Sequence, residues 1–425
     1  MRRISLNSKF ALFLSGILLF SGCAGLAVMG GEGAWARATL RKLTQREKIA
    51  QMMLYYMNMQ YLNEESEQWR EIVELIQTDG IGGIHLWYGD VGTSLTIMNQ
   101  MQKMSKVPIL FDADIERGLH QRFPGGTPLP VLMAVGATGN PDYAYQAGRI
   151  TAIEGRAVGI QLNLMPVVDV NNNPANPIIN VRSYGEDPAM VIEFSRAFIR
   201  GMRENGMLGT AKHFPGHGDT ETDSHSNLAI IPSDSTRLWT VELLPFIAAI
   251  KDGIDLVMIA HIQAPDYQPH AGTPATLSRF WTTEVLRNQL DFKGAVITDA
   301  MAMGGVTENF TDAYALIEAI NAGCDIIIQN FNFRFAVDIV EKAVQEGLIS
   351  RERIDEAALK MLLLKEKAGL HRNRYTNIDN TRRVVGNPEF QHLASEMATK
   401  AVTLVKNEGN LVPLRATAEE DTVYV

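Results

Sequence analysis

Residues in the middle of this chain come in short, mainly apolar runs, each followed by a stretch with helical spacing. The runs are Ile81–Trp87, Pro108–Asp114, Gly159–Val168, Leu208–His213, Leu256–His261, Ala295–Asp299 and Asp325–Gln329. They are rich in Ile, Val and Leu and lack the alternation of a half-exposed strand. Strands buried on both faces have this pattern, as in a parallel sheet covered by helices. The alternation of β and α elements predicts an α/β fold. Seven such strands suit a (β/α)8 TIM barrel with one strand degenerate or overlooked. A doubly wound open sheet is the alternative. No G-x-G-x-x-G and no P-loop follows the first strand, so nothing supports nucleotide binding.

The flanks divide the chain further. Residues 1–23 carry a basic start at Arg2, Arg3 and Lys9, then the apolar run Phe10–Phe20, then Ser21-Gly22-Cys23. This predicts an export signal of the lipoprotein type, with Cys23 as the lipidated residue. Ala34-Trp35-Ala36 is a second cleavage candidate. Residues 24–39 form a Gly-rich linker. A helix is predicted from Leu43 to Met53, with Thr44 and Glu47 as a capping box. The barrel domain spans 40–370, closed by helices over Asp338–Leu370. Residues 371–392 are polar and linker-like. Ala401–Gly409 and Leu411–Leu414 resemble the entry to a second α/β domain, and Thr422–Val425 its first strand. Residues 371–425 are thus a linker plus an incomplete C-terminal domain.

Composition narrows the function. The net charge is -9 over 425 residues, with 46% hydrophobic and 20% charged residues. That balance fits a folded chain and argues against a general nucleic-acid binder. Two cysteines, Cys23 and Cys324, exclude a disulfide framework and a Cys-rich zinc site.

Charge collects where the strands end: Asp112 and Asp114, Asp169, Lys212-His213, His261 and Asp299. In a parallel barrel these ends open on one face, where active sites are built. Unpaired buried charge is costly, so five such ends point to a shared site. The loop Lys212–His225 holds three of the nine histidines. Pro215, Gly216 and Gly218 disfavour a helix there, so His213 and His217 do not make an i, i+4 ligand pair. A metal-dependent hydrolase built on His213, His217 and His225 is a competing reading. Acid/base chemistry fits better: Asp223, two residues before His225, can share its side in an extended loop and raise the basicity of its imidazole. The glycines also suggest a lid that closes on substrate.

Lys212-His213-Phe214-Pro215-Gly216-His217-Gly218 followed by Asp223-Ser224-His225 resembles the signature of glycoside hydrolase family 3 β-N-acetylglucosaminidases. So do Pro166–Val170 with Asn173-Pro174 and Asn176-Pro177, Arg182–Gly185 with Asp187-Pro188, and Ile297–Met301. The resemblance covers about residues 40–370. It implies a (β/α)8 barrel that removes terminal β-linked N-acetylhexosamine with retention. It implies Asp299 as nucleophile, His225 as general acid/base and Asp223 as its dyad partner. Asp114, Arg122, Arg182, Lys212 and His213 correspond to the family's sugar-binding residues. The chain departs from the family around Asp114, where Ile115, Arg117 and Leu119 replace the expected Gln, Gly and Arg.

The expected partner is therefore a carbohydrate, as peptidoglycan fragments or N-acetylglucosamine oligosaccharides. No metal or organic cofactor is required. No nucleic acid is expected, and membrane contact comes only through the N-terminal lipid, in the periplasm or at the outer membrane. Because a neutral imidazole does not repel an anion, phosphate is a candidate acceptor in place of water. A non-catalytic sugar-binding lipoprotein is the remaining alternative.

Overall fold

A computed structural model of the chain describes residues 31, 33–59, 62–232, 234–329, 332–410 and 412–413. The described residues form ten strands, most of them separated by helices: β1 (Met53–Met59), β2 (Gly83–Gly89), β3 (Leu110–Ala113), β4 (Leu162–Asn163), β5 (Leu208–Phe214), β6 (Ala229–Ile230), β7 (Leu256–Ile259), β8 (Ile262–Gln263), β9 (Ala295–Thr298) and β10 (Ile327–Gln329). Eight of them form one parallel sheet in the order β10-β1-β2-β3-β4-β5-β7-β9. A parallel bridge from Ile297 to Ile326 joins β9 to the start of β10, so the sheet closes into a barrel. β6 and β8 make a separate parallel pair.

All seven apolar runs contribute a barrel strand. The eighth, β1, follows the helix Gln45–Gln51 with only Met52 between them. The predicted helix to Met53 therefore ends two residues early, and no Gly, Pro or Asn marks the change. The capping box at its start is formed: Thr44 accepts from the Glu47 amide and Glu47 accepts from the Thr44 amide. The run Gly159–Val168 pairs as a regular strand only at Leu162–Asn163. Pro166, which has no amide hydrogen, interrupts it before the bridge from Val167 to Lys212 resumes pairing with β5.

Both strand faces are buried, which accounts for the missing alternation. Ile84, Phe111, Ala211, Val257 and Val296 face the surrounding helices. Leu54, Leu110, Leu162, Leu208, Leu256 and Ile297 fill the barrel, with Met361 and Leu364 of the helix Arg351–Lys367 plugging one end. The other end carries the polar layer. Helices Ile378–Val384 and Pro388–Lys400 occupy the segment expected to open as a polar linker. They dock on the barrel: the Thr381 hydroxyl donates to the Ala157 carbonyl at 2.6 Å, and the Gly386 amide to Glu154 Oε1 at 2.9 Å. Phe390 and Met397 are buried there, whereas Val402, Leu404 and Val405 are exposed. The expected export leader with Cys23 and the strand expected at Thr422–Val425 lie outside the described residues. No described helix is long and apolar enough to cross a membrane.

Candidate active site

The strand ends bring the predicted polar residues around one cavity of about 530 Å³. Asp114, Arg122, Arg182, Lys212, His213, His225 and Asp299 all line it. Asp223 stands behind His225, and His217 lies beneath the surface.

The floor is a network of opposite charges. Lys212 Nζ lies 2.5 Å from Asp114 Oδ1 and 2.8 Å from Glu116 Oε1. Arg182 grips Glu116 with two hydrogen bonds of 3.0 and 2.8 Å. Burial opposes charge on each group, and the facing charges outweigh it. Asp114 is held below the ordinary carboxylate range and Glu116 well below it, while Lys212 and Arg182 are raised. His213 Nδ1 meets the buried Asp169 at 2.7 Å, and its Nε2 lies 3.3 Å from Arg182. Arg122 lies over the Trp87 ring at 3.8 Å and donates through Nε to the Asp114 carbonyl.

Asp299 follows β9, with its Oδ1 accepting from the Ala300 amide at 2.8 Å. Burial opposes its ionisation, but His261, His213 and the Ala300 amide together hold its pKa below the usual value. It is an anion across the neutral range. His261 is buried beside it and fixes the turn: one ring nitrogen lies 2.9 Å from the Ala300 carbonyl, the other 2.8 Å from the Thr276 hydroxyl.

His225 projects from the loop after β5. Its Nδ1 and its backbone amide both meet Asp223 Oδ1, at 2.7 and 2.9 Å. The two residues meet through a turn, not through the extended segment expected from their spacing. Burial of Asp223 works against its charge, and the His225 amide and ring lower its pKa in spite of that. The loop is tied to the segment after Asp299, because Gly304 and Gly305 donate to the His225 and Ser224 carbonyls at 2.9 and 3.1 Å. A Cβ at Gly304 would stand 2.2 Å from the Ser226 carbonyl oxygen, so glycine permits this contact.

His217 anchors the same loop from below. Its Nδ1 lies 2.6 Å from the Thr220 hydroxyl and its Nε2 2.9 Å from the Ser224 hydroxyl. His213, His217 and His225 thus each engage different partners. Among the described residues no cluster of three or more His, Cys, Asp or Glu is disposed to hold a metal ion. Burial, helped by the neighbouring His213, lowers the His217 pKa from 6.5 to about 4. The ring is neutral in the fold, so the unfolded chain takes up a proton that the folded chain refuses. Its contribution is intact above pH 6.5 and is lost as pH falls toward 4, costing ~3 kcal/mol by the lower limit. Urea unfolding at pH 7 and pH 4.5 checks this: the wild type should lose about 2 kcal/mol more than His217→Gln over that interval.

Sequence reasoning did not single out Glu116, Trp87 or His85 as site residues. Glu116 had a signal, since it keeps register with Asp114 in the family motif. Trp87 and His85 sit inside an apolar run and had none.

The sequence profile of the Glycosyl hydrolase family 3 N terminal domain matches residues 44–364. A "Beta-N-acetylglucosaminidase/beta-glucosidase" of Cellulomonas fimi is 30% identical over 393 residues, which are 90% of this chain and 68% of that protein. "Beta-hexosaminidase A" of Pseudoalteromonas piscicida is 32% identical over 381 residues, 82% of this chain and 63% of that one. Among solved structures, the family 3 β-N-acetylglucosaminidase of Paenibacillus sp. str. FPU-7 superposes with a TM-score of 0.78 at 33% identity, covering 86% of this chain and 70% of that one. A beta-glucoside phosphorylase, BglX, superposes at 0.84 with 28% identity, covering 90% and 70%. With the barrel, the ordered motifs and a profile match over most of its length, the chain belongs to glycoside hydrolase family 3.

Proposed function

We propose that the chain is a retaining β-N-acetylglucosaminidase acting on terminal β-linked N-acetylhexosamine. One observation carries this reading: the Asp299 carboxylate and an Asp–His dyad, Asp223–His225, stand at one cavity on two hydrogen-bonded loops. The names of the relatives from Cellulomonas fimi, Pseudoalteromonas piscicida and Paenibacillus support the sugar.

In this scheme an Asp299 oxygen attacks the anomeric carbon and forms a glycosyl ester. The bond to the leaving group breaks as His225 Nε2 gives its proton to the departing oxygen. Asp223 holds Nδ1 and stabilises the imidazolium before transfer. Water then attacks the same carbon, His225 takes its proton, and Asp299 leaves as the carboxylate. Two inversions give retention. Asp114, Arg122, Arg182, Lys212 and His213 hold the sugar. Peptidoglycan fragments are the proposed natural substrates, reached by an exported protein anchored through Cys23.

A second reading replaces water by phosphate. It is favoured by the choice of imidazole over a second carboxylate, and by the similarity to the beta-glucoside phosphorylase BglX. One experiment separates the readings. The protein is incubated with 4-nitrophenyl N-acetyl-β-glucosaminide and with the β-glucoside, with and without 10-fold excess phosphate over substrate, and with EDTA. Hydrolysis predicts free N-acetylglucosamine at a rate indifferent to phosphate and EDTA. A sugar 1-phosphate as main product would move the assignment to phosphorolysis, and loss of activity in EDTA would move it to a metal site.

A further inference from the structure

Across the cavity from Asp299 stands a third imidazole–carboxylate pair, besides Asp223–His225 and Asp169–His213, and the proposed chemistry does not use it. His85 on β2 and Asp112 on β3 are register partners, and their side chains meet at 2.6 Å between Nδ1 and Oδ1. Asp112 is fully buried, and its Oδ2 has no hydrogen-bond partner among the described residues. The Tyr56 ring stacks on His85 with centroids 6.0 Å apart. The imidazole is thus locked in one orientation. Burial disfavours charge on it, but Asp112 and Asp114 outweigh burial and raise its pKa.

His85 lines the cavity, and its Nε2 makes no hydrogen bond among the described residues. Asp114 Oδ2 lies 3.9 Å from that nitrogen. The gap is too long for a direct hydrogen bond, yet one oxygen between the two atoms can sit at about 2.8 Å from each. A sugar hydroxyl fits, donating to the carboxylate and accepting from Nε2–H.

The barrel indicates which hydroxyl. Asp299 follows β9 and Asp114 follows β3, four strands apart around a ring of eight, so they face each other across the mouth. A pyranose with its anomeric carbon at Asp299 directs the opposite ring carbon, C4, toward β2 and β3. This orientation rests on the assignment of Asp299 under the proposed function. We propose that His85 is a specificity-determining residue that, together with Asp114, binds the C4 hydroxyl of the sugar being removed. A C4 oxygen bearing a further sugar cannot donate to Asp114 and would meet the β2–β3 wall. The same contact therefore restricts cleavage to chain ends.

The test pairs two substrates with two variants. Wild type, His85→Leu and His85→Gln are assayed on 4-nitrophenyl N-acetyl-β-glucosaminide and on its 4-deoxy analogue. Removing the hydroxyl should cost the wild type roughly 30-fold in kcat/KM. His85→Leu should be at least ~5-fold less sensitive to that removal, and His85→Gln, which keeps a donor, should recover part of the discrimination. Equal 4-deoxy penalties in wild type and His85→Leu would overturn the assignment, as would a wild type indifferent to the analogue. Calorimetric binding of N-acetylglucosamine and 4-deoxy-N-acetylglucosamine to the same proteins separates this inference from the hydrolase reading. Binding that depends on the C4 hydroxyl and on His85, without turnover, would sink the hydrolase reading and keep this one.

Discussion

Replacing Asp299 by alanine is expected to lower kcat by about 10⁴-fold or more, with the fold intact. The size follows from the role. Without the carboxylate no glycosyl ester forms, and no other described carboxylate at the cavity is free to substitute: Asp114 and Glu116 are committed to Lys212 and Arg182. The fold should survive, because Asp299 accepts one backbone hydrogen bond in its own turn and, among the described residues, pairs with no cation at salt-bridge distance. Its removal gives up that one bond and leaves no salt-bridge partner stranded among the described residues. Azide sharpens the test. In Asp299→Ala it can occupy the vacated space, attack the anomeric carbon and restore turnover with inversion, giving the α-glycosyl azide. No rescue and a fall of less than tenfold would together remove Asp299 from the nucleophile's place.

The second large effect concerns the dyad. His225→Ala should lower kcat/KM by roughly 10²–10⁴-fold on substrates with poor leaving groups. The same variant should form the glycosyl ester at nearly wild-type speed from a 2,4-dinitrophenyl glycoside, whose leaving group needs no proton. Its slow hydrolysis then appears as a burst. Here azide enters from the face that water uses, and the product is the β-glycosyl azide. Opposite azide anomers from the two variants identify which residue stands on which face of the sugar. Asp223→Asn should cost about 10–10³-fold. The amide can accept from Nδ1, but it does not stabilise the imidazolium, and the 2.9 Å bond from the His225 amide must be made to a neutral oxygen.

These residues were legible in the sequence to different degrees, for physical reasons. The barrel was readable because strands buried on both faces leave short, mainly apolar runs. β1 escaped because it follows its helix after Met52 alone, and its Met, Leu and Tyr residues continue the helix's own apolar pattern. Asp299, Lys212, His213 and Asp169 stood out as charges at strand ends. The Asp223–His225 pairing was visible in the spacing, although a turn and not an extended segment brings the side chains together. The role of His217 was not readable, because Thr220 and Ser224 meet its ring only through tertiary folding of the loop. The His85–Asp112 pair was invisible for a related reason: its register partners lie 27 residues apart, on two strands. Docking of Ile378–Val384 and Pro388–Lys400 likewise depends on a partner surface contributed by the helix Pro141–Val158.

The proposed mechanism requires Asp299 to become covalently glycosylated. The protein is treated with 5-fluoro-N-acetyl-β-glucosaminyl fluoride, whose ring fluorine slows hydrolysis of the ester and whose leaving group departs readily. Intact mass followed by peptide mapping is predicted to show one fluorosugar per chain, attached to Asp299 and absent from Asp299→Ala. A stoichiometric adduct on any other residue, or fluoride release with no adduct under conditions that trap the enzyme before turnover, would contradict it.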